Sequence, residues 1–352
     1  ITSSYKTVAV AGTHGKTTIS TMITFIMSRS KQGCSAFLGG IAKNFNSNLL
    51  MNPESKWMVT EADEFDRSFL QLHPYVGVVT AMDADHLDIY GNASAMQNAF
   101  NNYVSQIDRD GILLMKKDLP LKVDLVPKKT YTYSLQGKSD FYAENIRLEN
   151  KRYTFDLAGP SIAIKNLSLE HPGLLNVENA VAASSVCALL GIEEDIIRKA
   201  LSEFTGILRR FDYQIRTDEL VFIDDYAHHP KEIEATLKSV RELYPDKKIT
   251  GIFQPHLYSR TRDFAEDFAE SLSLLDRLLL LDIYPARELP IDGVTSEIIF
   301  RNVTVDDKLL CTKQDVLGII EVSPVEVLIT LGAGDIDKLV EPLRELLLER
   351  IS

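Results

Sequence analysis

"VAVAGTHGKTTIS", Val8 to Ser20, joins a short apolar run to a segment of helical spacing through a turn with two glycines. A helix that starts at such a turn points unpaired backbone N–H groups outward, where they attract phosphate. Gly12 and Gly15 allow the tight turn and a close approach of the ligand. Lys16 suits the β- and γ-phosphates of a nucleotide, and the Thr17 hydroxyl suits Mg²⁺. The full phosphate-loop pattern has a glycine where Val10 stands, so the loop is expected to have a different shape. The alternative is a plain glycine turn capped by threonines.

Outward from this loop the chain repeats the same rhythm of apolar run and helical segment. Strands are expected at Thr7–Ala11, Trp57–Glu61 and Tyr75–Thr80, with helices at Thr17–Met27 and Ala93–Ser105. Such alternation predicts a mostly parallel sheet flanked by helices. Tyr131–Lys165, with "YAENIRLENKRYTFDLAG", reads as a small antiparallel insert, and helices return at Val177–Leu190 and Glu193–Phe204. A second series follows. Its strands are expected at Leu220–Ile223, Ile249–Phe253, Arg277–Ile283 and Val325–Leu331, and its helices at Lys231–Tyr244, Thr261–Leu274 and Ile336–Leu348. The reading is α/β in two domains, 1–211 and 212–352, divided near Arg210–Tyr213.

The 352 residues are enough for two cores, and 45% hydrophobic with 25% charged residues is the composition of a soluble globular protein. No apolar run approaches the roughly 20 residues that span a bilayer, so membrane insertion is not expected. A net charge of −12, with no basic stripe, argues against nucleic acid as a partner. Cys34, Cys187 and Cys311 form neither a zinc spacing nor a disulfide framework, and a reducing cytoplasm is the expected setting. The sequence leaves the oligomeric state open.

Ligands of open α/β sheets gather at the carboxyl ends of strands. "VTEADEFDRSF" places Glu61 there, followed by Asp63, Glu64 and Asp66, as candidate carboxylates for Mg²⁺. A solvated acidic loop is the alternative. The next strand ends in "VVTAMDADHLDIYG", where His86 lies between Asp85 and Asp88. Lysine and threonine, glutamate and histidine at three strand ends point to one functional rim.

"GTHGKTT", "EADEFDRSFLQLHP", "DADHLDIYG", "RRFD", "DDYAHHPKEI", "FQPHLYSRTRDF", "YPARELPIDGVTS" and "GAGDID" together resemble, in order, the Mur ligase family. These are ATP-dependent enzymes that build the peptidoglycan stem peptide. The resemblance implies a central P-loop ATPase domain with a mostly parallel sheet and a small antiparallel insert, then a Rossmann-like C-terminal domain. It also implies a preceding UDP-binding domain, which is expected to be missing from this sequence. Within the family the motifs are most similar to the branch that joins L-alanine to the lactyl carboxylate of UDP-N-acetylmuramate, with ATP and Mg²⁺. Two other readings stay open: the recycling branch, which attaches a whole tripeptide to the same sugar nucleotide, and a nucleotide-binding module without catalysis.

The resemblance implies roles residue by residue. Gly12, Thr13, His14, Gly15, Lys16, Thr17 and Thr18 would surround the phosphates. Thr17, Glu61 and His86 would hold magnesium, and Asn176 and Asn179 would lie near the adenine. Arg210 would reach the ATP, with Lys16 and His86 as the other catalytic groups, and Asp225 would contact the nucleotide. Asp63, Tyr226, His228, His229, His256, Arg260 and Arg262 would bind substrates. Arg260 and Arg262, if in a helix's first turn, oppose its dipole and so favour a nearby anion. His228 and His229, before Pro230, alternatively form a helix entry, and Asn176 alternatively a cap. The sequence departs from relatives at three points. "GNASAMQNAFNNYVSQI" lacks the lysine that some carbamylate at the metal site, Leu175 replaces a common histidine, and Ala81 a common asparagine.

Overall fold

The computed structural model describes residues 4–65, 67–83, 90, 92–122, 129–160 and 162–351. The chain divides into two compact units, Ile1–Ile207 and Leu208–Ser352. The division lies N-terminal to the 211/212 boundary read from the sequence. Residues 209–211 already bond inside the second unit: Arg209 reaches Asp224 at 3.5 Å, and Phe211 N–H donates to Asp225 at 2.9 Å.

The first unit holds strands β1 (Lys6–Ala11), β2 (Ser35–Ala42), β3 (Ser47–Leu50), β4 (Trp57–Ala62), β5 (Val76–Val79), β6 (Ile112–Lys116), β7 (Lys129–Gln136), β8 (Phe141–Glu149), β9 (Arg152–Gly159) and β10 (Ile162–Leu169). Its helices are α1 (Lys16–Ser28), α2 (Ala93–Ser105), α3 (Leu174–Leu189) and α4 (Glu194–Glu203). Among the described residues the strands form one ten-stranded sheet, ordered β10-β9-β8-β7-β6-β5-β1-β4-β2-β3. Its middle, from β2 to β8, is parallel, and antiparallel pairs occur at both ends. The antiparallel segment expected as an insert is therefore continuous with the main sheet, because β7 pairs in parallel with both β6 and β8. β1 sits between β4 and β5, buried from Thr7 to Ala11. Its carboxyl end therefore opens among the ends of its neighbours.

Both faces of the sheet are covered. Ile19, Ile23 and Ile26 of α1 pack with Val181 and Val186 of α3 on one side, and Phe69, Phe100 and Tyr103 form a cluster on the other. The Tyr103 hydroxyl, fully buried, donates to the Ala9 carbonyl at 2.8 Å. α2 begins where the Asn92 side chain accepts from Ala95 N–H, an ordinary N-cap.

The second unit holds β11 (Asp212–Arg216), β12 (Val221–Asp225), β13 (Ile249–Phe253), β14 (Arg277–Leu280), β15 (Asp307–Leu310) and β16 (Val327–Leu331). The order is β11-β12-β16-β13-β14-β15, parallel apart from β11. Helices α5 (Pro230–Leu243), α6 (Tyr258–Asp263), α7 (Ala265–Leu272), α8 (Glu297–Phe300), α9 (Lys313–Glu321) and α10 (Val340–Ile351) cover it. α5 and α7 bury Leu237 and Phe268 on one face, and α9 and α10 bury Ile320 and Leu343 on the other. The single helix expected over Thr261–Leu274 is broken at Phe264 (φ −122, ψ 23), whose ring lies 5.0 Å from that of His229. The helix expected from Ile336 starts as a 3₁₀ turn over Asp335–Leu339. Among the described residues no helix is long and apolar enough to cross a membrane.

Candidate active site

The loop between β1 and α1 is shaped by glycine and clasped by its neighbour strand. Gly12 has φ +133, and a Cβ there would lie 2.2 Å from Thr80 Oγ1. The Thr80 hydroxyl donates to the His14 carbonyl in a short hydrogen bond. Thr13 N–H donates to Ala81 O at 3.1 Å, and Asp83 N–H to Thr13 Oγ1 at 3.2 Å. Thr80 escapes a reading of the sequence because a threonine at the end of a strand is commonplace. Gly15 caps α1 in the left-handed region (φ 82), and no side chain caps the first turn. The leading N–H groups of this helix are thus left for an anion.

Behind the loop lies a set of charged and hydroxyl groups. The Lys16 ammonium is 2.8 Å from each oxygen of Glu64 and 2.8 Å from Gly12 O. Glu64 is wholly buried (0%). Burial pushes its carboxyl above the usual range, and the Lys16 ammonium draws it back. Tyr90 Oη and Arg67 N–H both donate to the Glu64 carbonyl, at 2.6 and 3.1 Å, and fix its backbone. Thr17 Oγ1 donates to Glu61 Oε2 at 3.2 Å, and Gly39 N–H to Glu61 Oε1 at 2.5 Å. Two hard oxygen donors, a hydroxyl and a carboxylate, therefore stand side by side at the loop, a donor set that fits magnesium. Among the described residues no group of three or more His, Cys, Asp or Glu side chains forms a metal centre. A site finished by phosphate oxygens and water needs no such cluster.

The other expected residues of this unit fall as follows. His14 Nε2 stands 3.3 Å from Asp83, and Thr18 is buried in the first turn of α1. Asn176 lies in the first turn of α3, after the Gly173 cap, and donates to Pro172 O at 2.6 Å. Its side-chain oxygen receives Asn179 Nδ2 at 3.3 Å, and Asn179 Oδ1 sits 3.0 Å from where a Cβ on Gly15 would be. The pair thus faces the loop's glycine. Asp63 is exposed and serves its own turn, accepting from Phe65 N–H at 3.2 Å. His86 lies outside the described residues.

The second unit gathers another set at the carboxyl ends of β12 and β13. The guanidinium groups of Arg209 and Arg210 lie 5.0 and 4.9 Å from the Tyr226 ring. Tyr226 meets His228 edge-on at 5.3 Å, His228 meets His256 at 6.0 Å, and His256 stacks on Tyr284 at 5.8 Å. Burial, with Arg260 adding to it, lowers His228 to about 3 and His256 to about 4, so both imidazoles are neutral at pH 7. Arg260 is buried, 7% exposed. A buried guanidinium beside neutral imidazoles offers one partner for a carboxylate and others for an ammonium, the two ends of an amino acid. A cavity of about 320 Å³ adjoins Tyr284, lined also by Gln254, Asp282, Lys313 and Asp335.

Three further expected residues make contacts within this unit. His229 caps α5 by accepting Lys231 N–H at 3.4 Å, and its ring is buried on Phe264. Arg262 points outward and pairs with its neighbour Asp263 at 2.7 Å, because the short helix α6 turns only Arg260 inward. Asp225 is buried with both oxygens bonded inside the unit, to Ala227 N–H at 2.7 Å and Phe211 N–H at 2.9 Å. Burial raises it to about 6, as it does the adjacent Asp224.

The fold and the loop define a phosphate-loop α/β protein that continues into a doubly wound unit of Rossmann type. The family profile described as Mur ligase middle domain matches residues 10–187, and that described as Mur ligase, glutamate ligase domain matches residues 209–334. The chain belongs to the Mur ligase family. It is 51% identical over 352 residues to a UDP-N-acetylmuramate–L-alanine ligase of Parabacteroides distasonis, covering 100% of this chain and 76% of that protein. A solved UDP-N-acetylmuramate-alanine ligase from Thermotoga maritima matches with a TM-score of 0.82 at 26% identity, covering 98% of this chain and 76% of the other. A murein peptide ligase from Psychrobacter arcticus shares the fold, with a TM-score of 0.68 at 22% identity over 98% of this chain and 78% of the other.

Proposed function

We propose that the chain carries the nucleotide and acceptor machinery of an ATP-dependent ligase that joins L-alanine to UDP-N-acetylmuramate in peptidoglycan precursor synthesis, in the cytoplasm. A lactyl carboxylate oxygen attacks the γ-phosphorus of ATP, and ADP leaves. The amine of L-alanine attacks the acyl phosphate carbonyl, the tetrahedral adduct collapses to the amide, and phosphate leaves with the carboxylate oxygen. The observation that carries this reading is the 51% identity, along the whole of this chain, to the Parabacteroides distasonis ligase.

The residues have work that suits each step. The N–H groups at the start of α1 and the Lys16 ammonium would hold the phosphates, and Asn179 would border the loop at Gly15. Thr17 and Glu61 would hold magnesium, with His86 as a further ligand. Magnesium bound there would neutralise charge on the transferring phosphoryl group. Arg210 would meet the nucleotide, while Arg260, His228, His256 and Tyr226 would receive the amino acid. Little covalent help is required of the protein, since anions need only be gathered and their charge offset.

Phosphate release tests the acceptor. With ATP, Mg²⁺ and UDP-N-acetylmuramate present, release should depend on L-alanine. Release only with a tripeptide acceptor would place the protein in the recycling branch, and no release with any acceptor would leave a nucleotide-binding module.

A further inference from the structure

The Lys16 ammonium is held from two sides: Gly12 O and both oxygens of Glu64 lie 2.8 Å from it. The partner carboxylate is fully buried, while Lys16 keeps 16% of its side-chain surface open. The Glu64 main chain is pinned through its carbonyl by Tyr90 and Arg67, so the carboxylate is not free to follow the lysine outward. Phosphate that engages Lys16 must share it with Glu64.

Charge adds to this. Glu64 pairs with Lys16, Glu61 accepts from Thr17, and Asp83 lies 3.3 Å from His14. Three carboxylates thus stand at the loop, and the one beneath Lys16 offsets its charge. A phosphate chain carrying several negative charges is repelled there unless a cation arrives with it.

Resting on the nucleotide reading given above, we infer that Glu64 is a specificity-determining residue: it offsets the charge of Lys16 so that the loop admits nucleotide as its magnesium complex and rejects the metal-free form. Glu64 touches neither metal nor phosphate in this role and acts through Lys16, as a positioning residue.

The test is calorimetry of ADP binding to the whole protein, with Mg²⁺ and with a chelator, for the wild type and Glu64→Gln. The wild type should bind Mg-ADP and bind metal-free ADP far more weakly. Removing one unit charge a few ångströms from the phosphates should tighten metal-free ADP by about tenfold or more. The affinity for Mg-ADP should change by less, which narrows the gap between the two forms. Metal-free affinity that stays unchanged or falls in Glu64→Gln would overturn the proposal. A wild type that binds ADP in neither form would instead overturn the nucleotide reading itself. Should Glu64→Gln not fold, the wild type decides through its ¹⁵N-lysine side-chain resonances. The Lys16 ammonium should be protected from exchange before nucleotide is added and should shift on adding Mg-ADP, and an unprotected, unmoved Lys16 resonance would refute the pairing.

Discussion

Gly39→Ala adds one methyl group and removes no polar atom, yet it should disable the site. Gly39 lies in β2 and is not among the glycines with positive φ, so alanine fits its backbone. The new Cβ would stand 2.5 and 2.6 Å from the two oxygens of Glu61 and 2.7 Å from its Cδ. Ordinary contact is about 3.5 Å, so the carboxylate must retreat by about 1 Å. It is the end of a flexible side chain, and the retreat costs little energy in itself. Replacing glycine in a strand regains roughly 0.5–1 kcal/mol of backbone entropy. Stability should therefore stay within about 1 kcal/mol of the wild type. Function should not, because the retreat breaks the 3.2 Å contact between Glu61 and Thr17. A misplacement of about 1 Å can cost about 10²-fold in rate. The assay is steady-state phosphate release at varied Mg²⁺, beside urea unfolding of the same preparation. The expected result is a kcat lower by about 10²-fold, a higher Mg²⁺ requirement and an unchanged unfolding midpoint. Normal turnover with normal Mg²⁺ dependence would refute the assignment of Glu61.

Lys16→Ala leaves the buried Glu64 carboxylate without its cation and should cost about 3 kcal/mol in urea unfolding, with turnover abolished. The double variant Lys16→Ala/Glu64→Gln should regain most of that stability and none of the turnover, and a single variant as stable as the wild type would contradict the pairing. Arg260→Gln should raise the KM for the amino acid by about tenfold or more while the KM for ATP changes little. Arg262→Gln should leave both unchanged, and the reverse pattern would show that the inward arginine is misassigned. His171, buried against Phe204, is lowered from 6.5 to about 4 by burial. The unfolded chain binds the extra proton between those values, so stability falls as pH drops from 6.5 towards 4, by up to about 3 kcal/mol. His171→Gln should lose that part of the acid sensitivity, and an unaltered pH profile would show that the ring titrates normally.

The sequence made the loop legible because strand, glycine turn and Gly-Lys-Thr follow one another without a gap, and a helix start has only one polarity. Glu61 was legible for the same kind of reason, as the last residues of a strand in a parallel sheet face the ligand side. β2 was not legible. "SAFLGGIA" reads poorly as a strand, since glycine weakens one. Its glycines answer to tertiary contacts: Gly39 makes room for Glu61, and Gly40 lies against Thr17 and Ile207. Glu64 was one acid among several until burial set it apart from the exposed Asp63. The surroundings of His229 and Arg262 were not legible, because a letter does not say which way its side chain turns. A histidine can cap a helix and an arginine can pair with the next residue, and a six-residue helix such as α6 carries too little pattern to choose a face. Thr80 was missed since its use, holding the loop through His14 O, depends on β5 lying beside β1.

The claim at the centre is that phosphate from the loop's nucleotide activates a carboxylate. Its most direct test uses UDP-N-acetylmuramate labelled with ¹⁸O in the lactyl carboxylate, with ATP, Mg²⁺ and L-alanine, followed by mass analysis of the phosphate released. Passage through the acyl phosphate predicts one ¹⁸O in each phosphate from fully labelled substrate, formed in step with the amide. Phosphate without label would mean that water, and not the carboxylate, takes the phosphoryl group, and would contradict the account.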